Sequence, residues 1–319
     1  EVPLEICGPD APAFLDYVFT RPVSSMAVDR GRYGLMCHHG GGIACDGVVF
    51  RLAEDRFWYV HADRDVFTWL QALKPGYNVY IRNPGAWAIQ IQGPASLEIL
   101  DACVDGGAPA GFKYYHSRQV TMGGQPVLIS RTGWTAELGF EVYNMDPNVD
   151  GMALWSHLMV AGKPHGMEIL STYAMNPRRI EAGIMNYGTD MGWDTTPFDL
   201  GLGEFVDFDH EFLGRDALQT AERKQRFTGF RTEARDIKWG SPVFVNGKDV
   251  GSVKAFEHSP TLGTGIGYVL FDTHEAMAIS AFSVKDRAGK EYPMDLHTLP
   301  FFDPEKRIPR GLEVMVFTG

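Results

Sequence analysis

Residues 6–16 read ICGPDAPAFLD and residues 91–101 read IQGPASLEILD, with the apolar and turn positions in the same register. Each copy has the pattern of a strand, a glycine turn and a helix. Strand patterns follow the first copy at residues 47–52 and 56–61, and the second copy at residues 127–131 and 139–143. Unless two Gly-Pro turns coincide by chance, this repeated unit indicates an α+β fold with two antiparallel sandwiches rather than a doubly wound sheet.

The second half of the chain changes in character after a predicted buried helix over residues 175–185 and the charged residues Arg223, Lys224 and Arg226. Short strand patterns then surround turns at Asn246-Gly247 and at residues 263–267, which predicts a small all-β domain. We therefore expect three domains, at residues 1–110, at residues 111–222 and at residues 223–319. Because the first strand pattern begins at Val2, we also expect a further segment upstream.

Composition limits the classes of function. The 319 residues include 29 basic and 40 acidic side chains, and this net charge of −11 disfavours nucleic acid and anionic membranes as partners. The four cysteines lack CxxC spacing, so reduced thiols in a cytoplasmic protein are expected. No apolar run approaches the ~20 residues of a membrane span. Composition leaves the oligomeric state open.

The stretch YGLMCHHGGGIACD, residues 33–46, leads through three glycines to a single acid, Asp46. It has neither the GKS/T nor the GxGxxG pattern of a phosphate-binding loop. Neighbouring side chains on a strand point to opposite faces, so His38, His39 and the nearby cysteines do not predict a metal site. From these residues alone, Asp46 is either a turn cap or part of a ligand site.

The stretch SRTGWTAELGFEVY, residues 130–143, places Glu141 and Tyr143 on one face of a strand and Phe140 and Val142 on the other. A carboxylate beside aromatic rings can accept two parallel N–H bonds from the edge of a flat heterocycle while the rings cover its faces. The alternative is a surface strand with an exposed glutamate.

Together these stretches resemble the folate-binding aminomethyltransferase family, whose founding member is the T-protein of glycine cleavage. The resemblance covers essentially the whole chain and rests on motifs in the family's order: Tyr33, Gly41, Gly42 and Asp46, QGPA at 92–95, RTG at 131–133, FE at 140–141, RIEAG at 179–183, YG at 187–188, TP at 196–197, FLGR at 212–215, GSV at 251–253 and SPTL at 259–262.

The resemblance implies a three-domain fold, in which two antiparallel α/β sandwiches and a C-terminal β-barrel surround a central site for tetrahydrofolate. It implies that Glu141 holds the edge of the pterin and that Asp46 is catalytic beside N5. Tyr33, His61 and Arg179 match further cofactor-binding positions, although Arg179 could instead brace a buried helix. No metal is implied.

Two departures from the T-protein pattern favour a different branch. Cys45-Asp46 stands where the T-protein usually has two aspartates, and Trp134 stands where it has a tyrosine. Together with Tyr143 and residues 299–301, these features resemble the tetrahydrofolate-dependent demethylase of dimethylsulfoniopropionate, whereas residues 205–215 resemble folate-dependent demethylases of aryl methyl ethers.

This branch implies a methyltransferase, a demethylase that moves a methyl group from a sulfonium, betaine or methoxyaryl compound to N5 of tetrahydrofolate. Trp134 and Tyr143 would bind that small-molecule donor, and no carrier protein is expected. The alternatives are a T-protein-like aminomethyltransferase and a folate-binding protein without catalytic activity.

Overall fold

The computed structural model describes residues 2–61 and 65–314. Its first unit is a five-stranded sheet with the strand order β2-β3-β4-β1-β5, in which all recorded pairings are antiparallel. Two helices, α1 and α2, belong to this unit. The elements are β1 Val2–Cys7, α1 Ala11–Val18, β2 Arg30–Cys37, β3 Ile43–Ala53, β4 Arg56–His61, α2 Val66–Leu73 and β5 Tyr80–Arg82.

The second unit repeats this arrangement with four antiparallel strands in the order β6-β9-β8-β7. The order matches β1-β4-β3-β2 of the first unit, which confirms the repeat predicted from the two strand–turn–helix stretches. The elements are β6 Ala88–Gln92, α3 Ser96–Cys103, β7 Ser117–Met122, β8 Gln125–Ser130, β9 Gly139–Asn144 and α4 Gly151–Gly162.

The predicted domain boundary after residue 110 divides this second unit, because β6 pairs with β9 and α3 contacts both strands. Strand β5 still pairs with β1 of the first sheet. We therefore propose that the division lies between Arg82 and Ala88, while the boundary after residue 222 precedes the first strand of the third unit.

The third unit is a closed six-stranded barrel, as the family resemblance implied. Its β11–β12 hairpin turns at Asn246 and Gly247, both with positive φ (50° and 75°), the geometry that two-residue hairpins favour. Going round the barrel, the strands are β10 Phe227–Thr232, β13 Thr264–Phe271, β12 Lys248–Ser259, β11 Pro242–Val245, β14 Phe282–Lys285 and β15 Glu291–His297.

Two short helices follow the second sheet and precede the barrel in the chain: α5 Met175–Glu181 and α6 Arg215–Thr220. The helix predicted over residues 175–185 ends at Glu181 because Gly183 adopts φ 70°, the left-handed conformation that commonly terminates helices. Among the described residues, no helix combines the length and apolar character needed to cross a bilayer.

Apolar packing joins the units. A buried cluster between the two sheets brings Phe50 and Trp58 of the first sheet against Leu128 and Tyr143 of the second. A second cluster connects Leu35 of the first sheet with helix α5 and with Tyr268 of the barrel. These contacts fix the relative positions of the strands that carry the candidate site residues.

Candidate functional site

A cavity of about 530 Å³ lies between the two sheets. This volume is within the range of small-molecule sites. Among the described residues, its lining comes from the two sheets and their loops, from residues 183–187 and 202–205, and from the segment after the barrel, but not from strands β10–β15. Five predicted site residues line it: Tyr33, Asp46, His61, Trp134 and Glu141.

Glu141 is a buried carboxylate on β9, with 5% of its surface exposed. Its Oε2 accepts hydrogen bonds from the hydroxyls of Tyr143 (2.8 Å), Ser130 (3.4 Å) and Thr132. Among residues 2–61 and 65–314, its Oε1 accepts only from Nε2 of Gln90, at 3.2 Å. Burial raises the pKa of Glu141, and the hydroxyl donors oppose that rise. Oε1 is therefore the oxygen with capacity to accept an N–H from a ligand.

Asp46 lies on β3, on the opposite sheet from Glu141. Its Oδ2 accepts a hydrogen bond of 2.9 Å from the hydroxyl of Tyr33. Burial raises the pKa of Asp46 to about 7, although the Tyr33 bond lowers it. A carboxyl group with this pKa exchanges protons near neutral pH, so Asp46 is suited to proton transfer as well as to charge stabilisation.

Cys45, the residue that departs from the T-protein pattern, does not line this cavity. Successive side chains on a strand point to opposite faces, and Cys45 packs in the core of the first unit with 1% of its surface exposed. The presence of a cysteine instead of an acid at position 45 therefore does not remove the carboxylate of Asp46, which faces the cavity.

Trp134 lies in the loop between β8 and β9 and contributes its half-buried ring to the cavity. The guanidinium of Arg179 lies 5.4 Å from the centre of this ring. Arg179 itself is 4% exposed, forms an ion pair with Asp190, and is not among the residues that line the cavity. The expected contact between Arg179 and the cofactor is therefore not supported, because the guanidinium pairs with Asp190 and contacts the ring of Trp134 instead.

Tyr143 has a different role from the donor contact predicted for it. Its ring is fully buried between the sheets, 6.2 Å from the rings of both Phe50 and Trp58, and does not line the cavity. Its hydroxyl donates to Glu141. The prediction of a donor-binding surface made by Trp134 and Tyr143 together is wrong, since the first sheet covers Tyr143.

His61 and Tyr33 approach the cavity from the first sheet. His61 is the last residue of β4, and its ring stacks on Tyr59 at 5.4 Å. The ring of Tyr33 contacts Phe205 edge-on at 5.1 Å while its hydroxyl is held by Asp46. Tyr33 thus supports Asp46, and a direct folate contact remains a prediction for both residues.

The sequence reasoning missed two groups of lining residues. Tyr114 and Tyr115 form an edge-on pair with ring centres 4.7 Å apart, and Tyr115 has φ 61°, which is unusual for a bulky side chain. Four cations also line the cavity, and none of them forms an ion pair with a carboxylate among residues 2–61 and 65–314: Arg21, Arg32, Lys306 and Arg310. The tandem tyrosines were visible in sequence, but the cations come from distant segments.

Comparisons with known proteins identify the family. A family model described as the GCVT N-terminal domain matches residues 2–210, and one described as the glycine cleavage T-protein C-terminal barrel domain matches residues 225–303. The chain belongs to the glycine cleavage T-protein family. Aminomethyltransferases of this family are tetrahydrofolate-dependent enzymes, which confirms the expected cofactor and the expected class of transferase.

Relatives within the family are named aminomethyltransferases. One from Streptomyces avermitilis is 35% identical over 317 residues, covering 95% of this chain and 84% of that protein. One from Alkaliphilus oremlandii is 34% identical over 284 residues, covering 86% and 76% respectively. The crystal structure of glycine cleavage system aminomethyltransferase T from Bartonella henselae has a TM-score of 0.84 at 24% identity, covers 94% of this chain and 84% of that one, and confirms the predicted fold.

Proposed function

We propose that this protein is a tetrahydrofolate-dependent aminomethyltransferase that binds the pterin at Glu141. The observation that carries the proposal is the buried Glu141 carboxylate, whose Oε2 has three hydroxyl donors and whose Oε1 has one amide donor. An N–H group at the edge of a pterin would complete Oε1 with a charge-assisted hydrogen bond. The cavity volume and its aromatic lining also suit a flat heterocycle.

Bound tetrahydrofolate would supply a nucleophilic N5 to the one-carbon group. The residues of this chain would orient the two reactants and exclude water, an effect that can supply several kcal/mol of catalysis. Asp46 would stabilise positive charge near N5 or accept a proton on Oδ1, the oxygen that Tyr33 does not bond.

The choice of aminomethyl transfer over demethylation follows from two features of the cavity. Cys45 faces the core, so its difference from the T-protein pattern does not remove a cavity carboxylate. Tyr143 supports Glu141 and is not available for an onium or methoxy group. Three relatives at 32–35% identity are named aminomethyltransferases and support the same choice.

This proposal replaces the expectation of a free donor. The family resemblance implies that the aminomethyl group arrives on the lipoyl arm of another protein, so a carrier-protein partner becomes part of the proposed reaction. Demethylation stays the second candidate because Trp134 lines the cavity, and an indole ring binds an onium group more strongly than a phenol ring does.

The product separates the two candidates. Purified protein and tetrahydrofolate would be mixed in one series with an aminomethylated lipoyl carrier and in another with sulfonium, betaine and methoxyaryl compounds. We expect 5,10-methylenetetrahydrofolate from the first series, with release of ammonia and of the free lipoyl dithiol, and no 5-methyltetrahydrofolate from the second. The reverse pattern would contradict aminomethyl transfer and support demethylation.

Glu141→Gln serves as the matched control in both series. If Glu141→Gln turns over as fast as the parent protein, the proposed pterin site is contradicted, whichever product forms.

A further inference from the structure

The internal repeat allows the loop that carries Trp134 to be compared with its counterpart. In the first unit, β3 and β4 are joined by only two residues, Glu54 and Asp55. In the second unit, the equivalent strands β8 and β9 are joined by eight residues, 131–138. A backbone hydrogen bond from the glycine turn is kept in both units, from Gly8 to Asp55 (3.0 Å) and from Gly93 to Leu138 (2.8 Å).

The residue before that glycine differs between the two units. Cys7 occupies the position in the first unit and Gln92 in the second. The Nε2 of Gln92 donates to the carbonyls of Thr132 and Phe140, both at 3.3 Å. Its Oε1 accepts from the hydroxyl of Thr135 at 2.8 Å. One carboxamide therefore ties the beginning and the middle of the longer loop to strand β9.

Two glycines confirm how closely the loop encloses this carboxamide. A Cβ added to Gly133 would lie 2.3 Å from Oε1 of Gln92, and one added to Gly139 would lie 2.2 Å from the same atom. Real Cβ atoms essentially never come so close. The loop backbone thus packs directly on Gln92 on both sides of Trp134, and the position of the indole depends on that packing.

We propose that Gln92 is the positioning residue that holds Trp134 at the cavity, where the indole ring contacts the ammonium end of the aminomethyl donor, so that donor affinity depends on Gln92 through Trp134. The dependence of donor affinity on Gln92 rests on the proposed function, whereas the positioning of Trp134 does not. Methionine has a similar length but cannot make the three hydrogen bonds, so Gln92→Met removes the polar ties while retaining most of the volume.

The first test observes Trp134 directly. The seven tryptophans are labelled with 5-fluorotryptophan, and the Trp134 resonance is identified by its loss in Trp134→Phe. In Gln92→Met we expect this resonance to shift and broaden while the other six keep their positions. An unchanged Trp134 resonance would overturn the proposal.

The second test is a double-mutant cycle with tetrahydrofolate and the aminomethylated lipoyl carrier as the donor. We expect Gln92→Met to raise the KM for the donor at least about tenfold while tetrahydrofolate affinity changes by less than about threefold. In a Trp134→Ala background the same substitution should change the donor KM by less than about twofold. Equal effects in the two backgrounds would mean that Gln92 does not act through Trp134, and the proposal would fail.

Ser96→Ala is the matched control, because Ser96 donates at 2.9 Å to Leu138, four residues after Trp134, whereas Gln92 bonds Thr135, the residue next to Trp134. It should leave both the fluorine spectrum and the donor KM unchanged. If Gln92→Met does not fold, Gln92→Glu keeps the acceptor for Thr135 and replaces the two N–H donors by a carboxylate oxygen that faces the same two carbonyls, and the same outcomes apply to it. A parent protein inactive toward this donor contradicts the proposed function, and the fluorine spectrum then decides the proposal.

Discussion

The hydrogen bond between Tyr33 and Asp46 predicts how activity depends on pH. Burial raises the pKa of Asp46 to about 7, and the Tyr33 hydroxyl, 2.9 Å from Oδ2, stabilises the charged form. If the Asp46 carboxylate is the active form, kcat rises with pH through a midpoint near 7. Tyr33→Phe removes the hydroxyl but keeps the ring that packs on Phe205.

The size of the shift follows from the strength of the lost bond. A hydrogen bond to a charged group contributes about 1.5–3 kcal/mol, and one pKa unit corresponds to about 1.4 kcal/mol. In Tyr33→Phe the midpoint should therefore move upward by about 1–2 pH units, to between about 8 and 9. At pH 7 the ionised fraction, and with it kcat, should fall roughly 5- to 50-fold and should recover at high pH.

The assay is the pH dependence of kcat at saturating tetrahydrofolate and donor, between pH 5.5 and 9.5. Asp46→Asn is the control: its residual rate should lack the titration near 7, because asparagine does not ionise in this range. A midpoint in Tyr33→Phe within about 0.3 units of the parent value would refute the coupling of Tyr33 to Asp46.

Three further predictions concern binding and stability. Glu141→Gln should weaken tetrahydrofolate binding about 10- to 100-fold in a fluorescence titration, because it replaces a charge-assisted acceptor by a neutral one; an unchanged Kd would contradict the pterin site. Arg310→Ala should weaken the same binding about 3- to 10-fold at low salt and less at high salt, since Arg310 has no ion pair within residues 2–61 and 65–314 and would attract the carboxylates of folate. An effect independent of salt would contradict that role. Asp46→Asn should raise the free energy of unfolding in urea by up to about 4 kcal/mol at pH 8 and by little near pH 4. The reason is that the pKa of Asp46 is higher in the native than in the unfolded state, so ionising Asp46 costs stability as the pH rises towards 7. Equal stability of the variant and the parent protein at pH 8 would contradict the raised pKa.

Much of the site could be predicted from local sequence because it depends on short-range geometry. The alternation of side chains along β9 put Glu141 and Tyr143 on one face and Phe140 and Val142 on the other, and the structure confirms it. The glycine turn and the Asn246-Gly247 hairpin follow from backbone conformations that glycine and asparagine adopt most readily. The order of the motifs was enough to indicate the family.

The roles of individual side chains required the tertiary structure. Glu141 and Tyr143 share a face of β9, yet only Glu141 reaches the cavity, because Phe50 and Trp58 from the other sheet cover Tyr143. Arg179 has the same charge whether it binds a ligand or Asp190, and only the fold brings Asp190 within reach. The cavity cations come from segments nearly 300 residues apart in the chain.

The repeated α+β units, the all-β third unit and the strand faces could be read from the amino-acid order, since these depend on residue spacing and on backbone preferences a few residues long. The three-dimensional fold was needed to show that Cys45 is a core residue and that Gln92 bonds the Trp134 loop. Which side of a strand meets a cavity depends on what packs against it. That packing depends on pairings between residues far apart in the chain, which local periodicity does not specify.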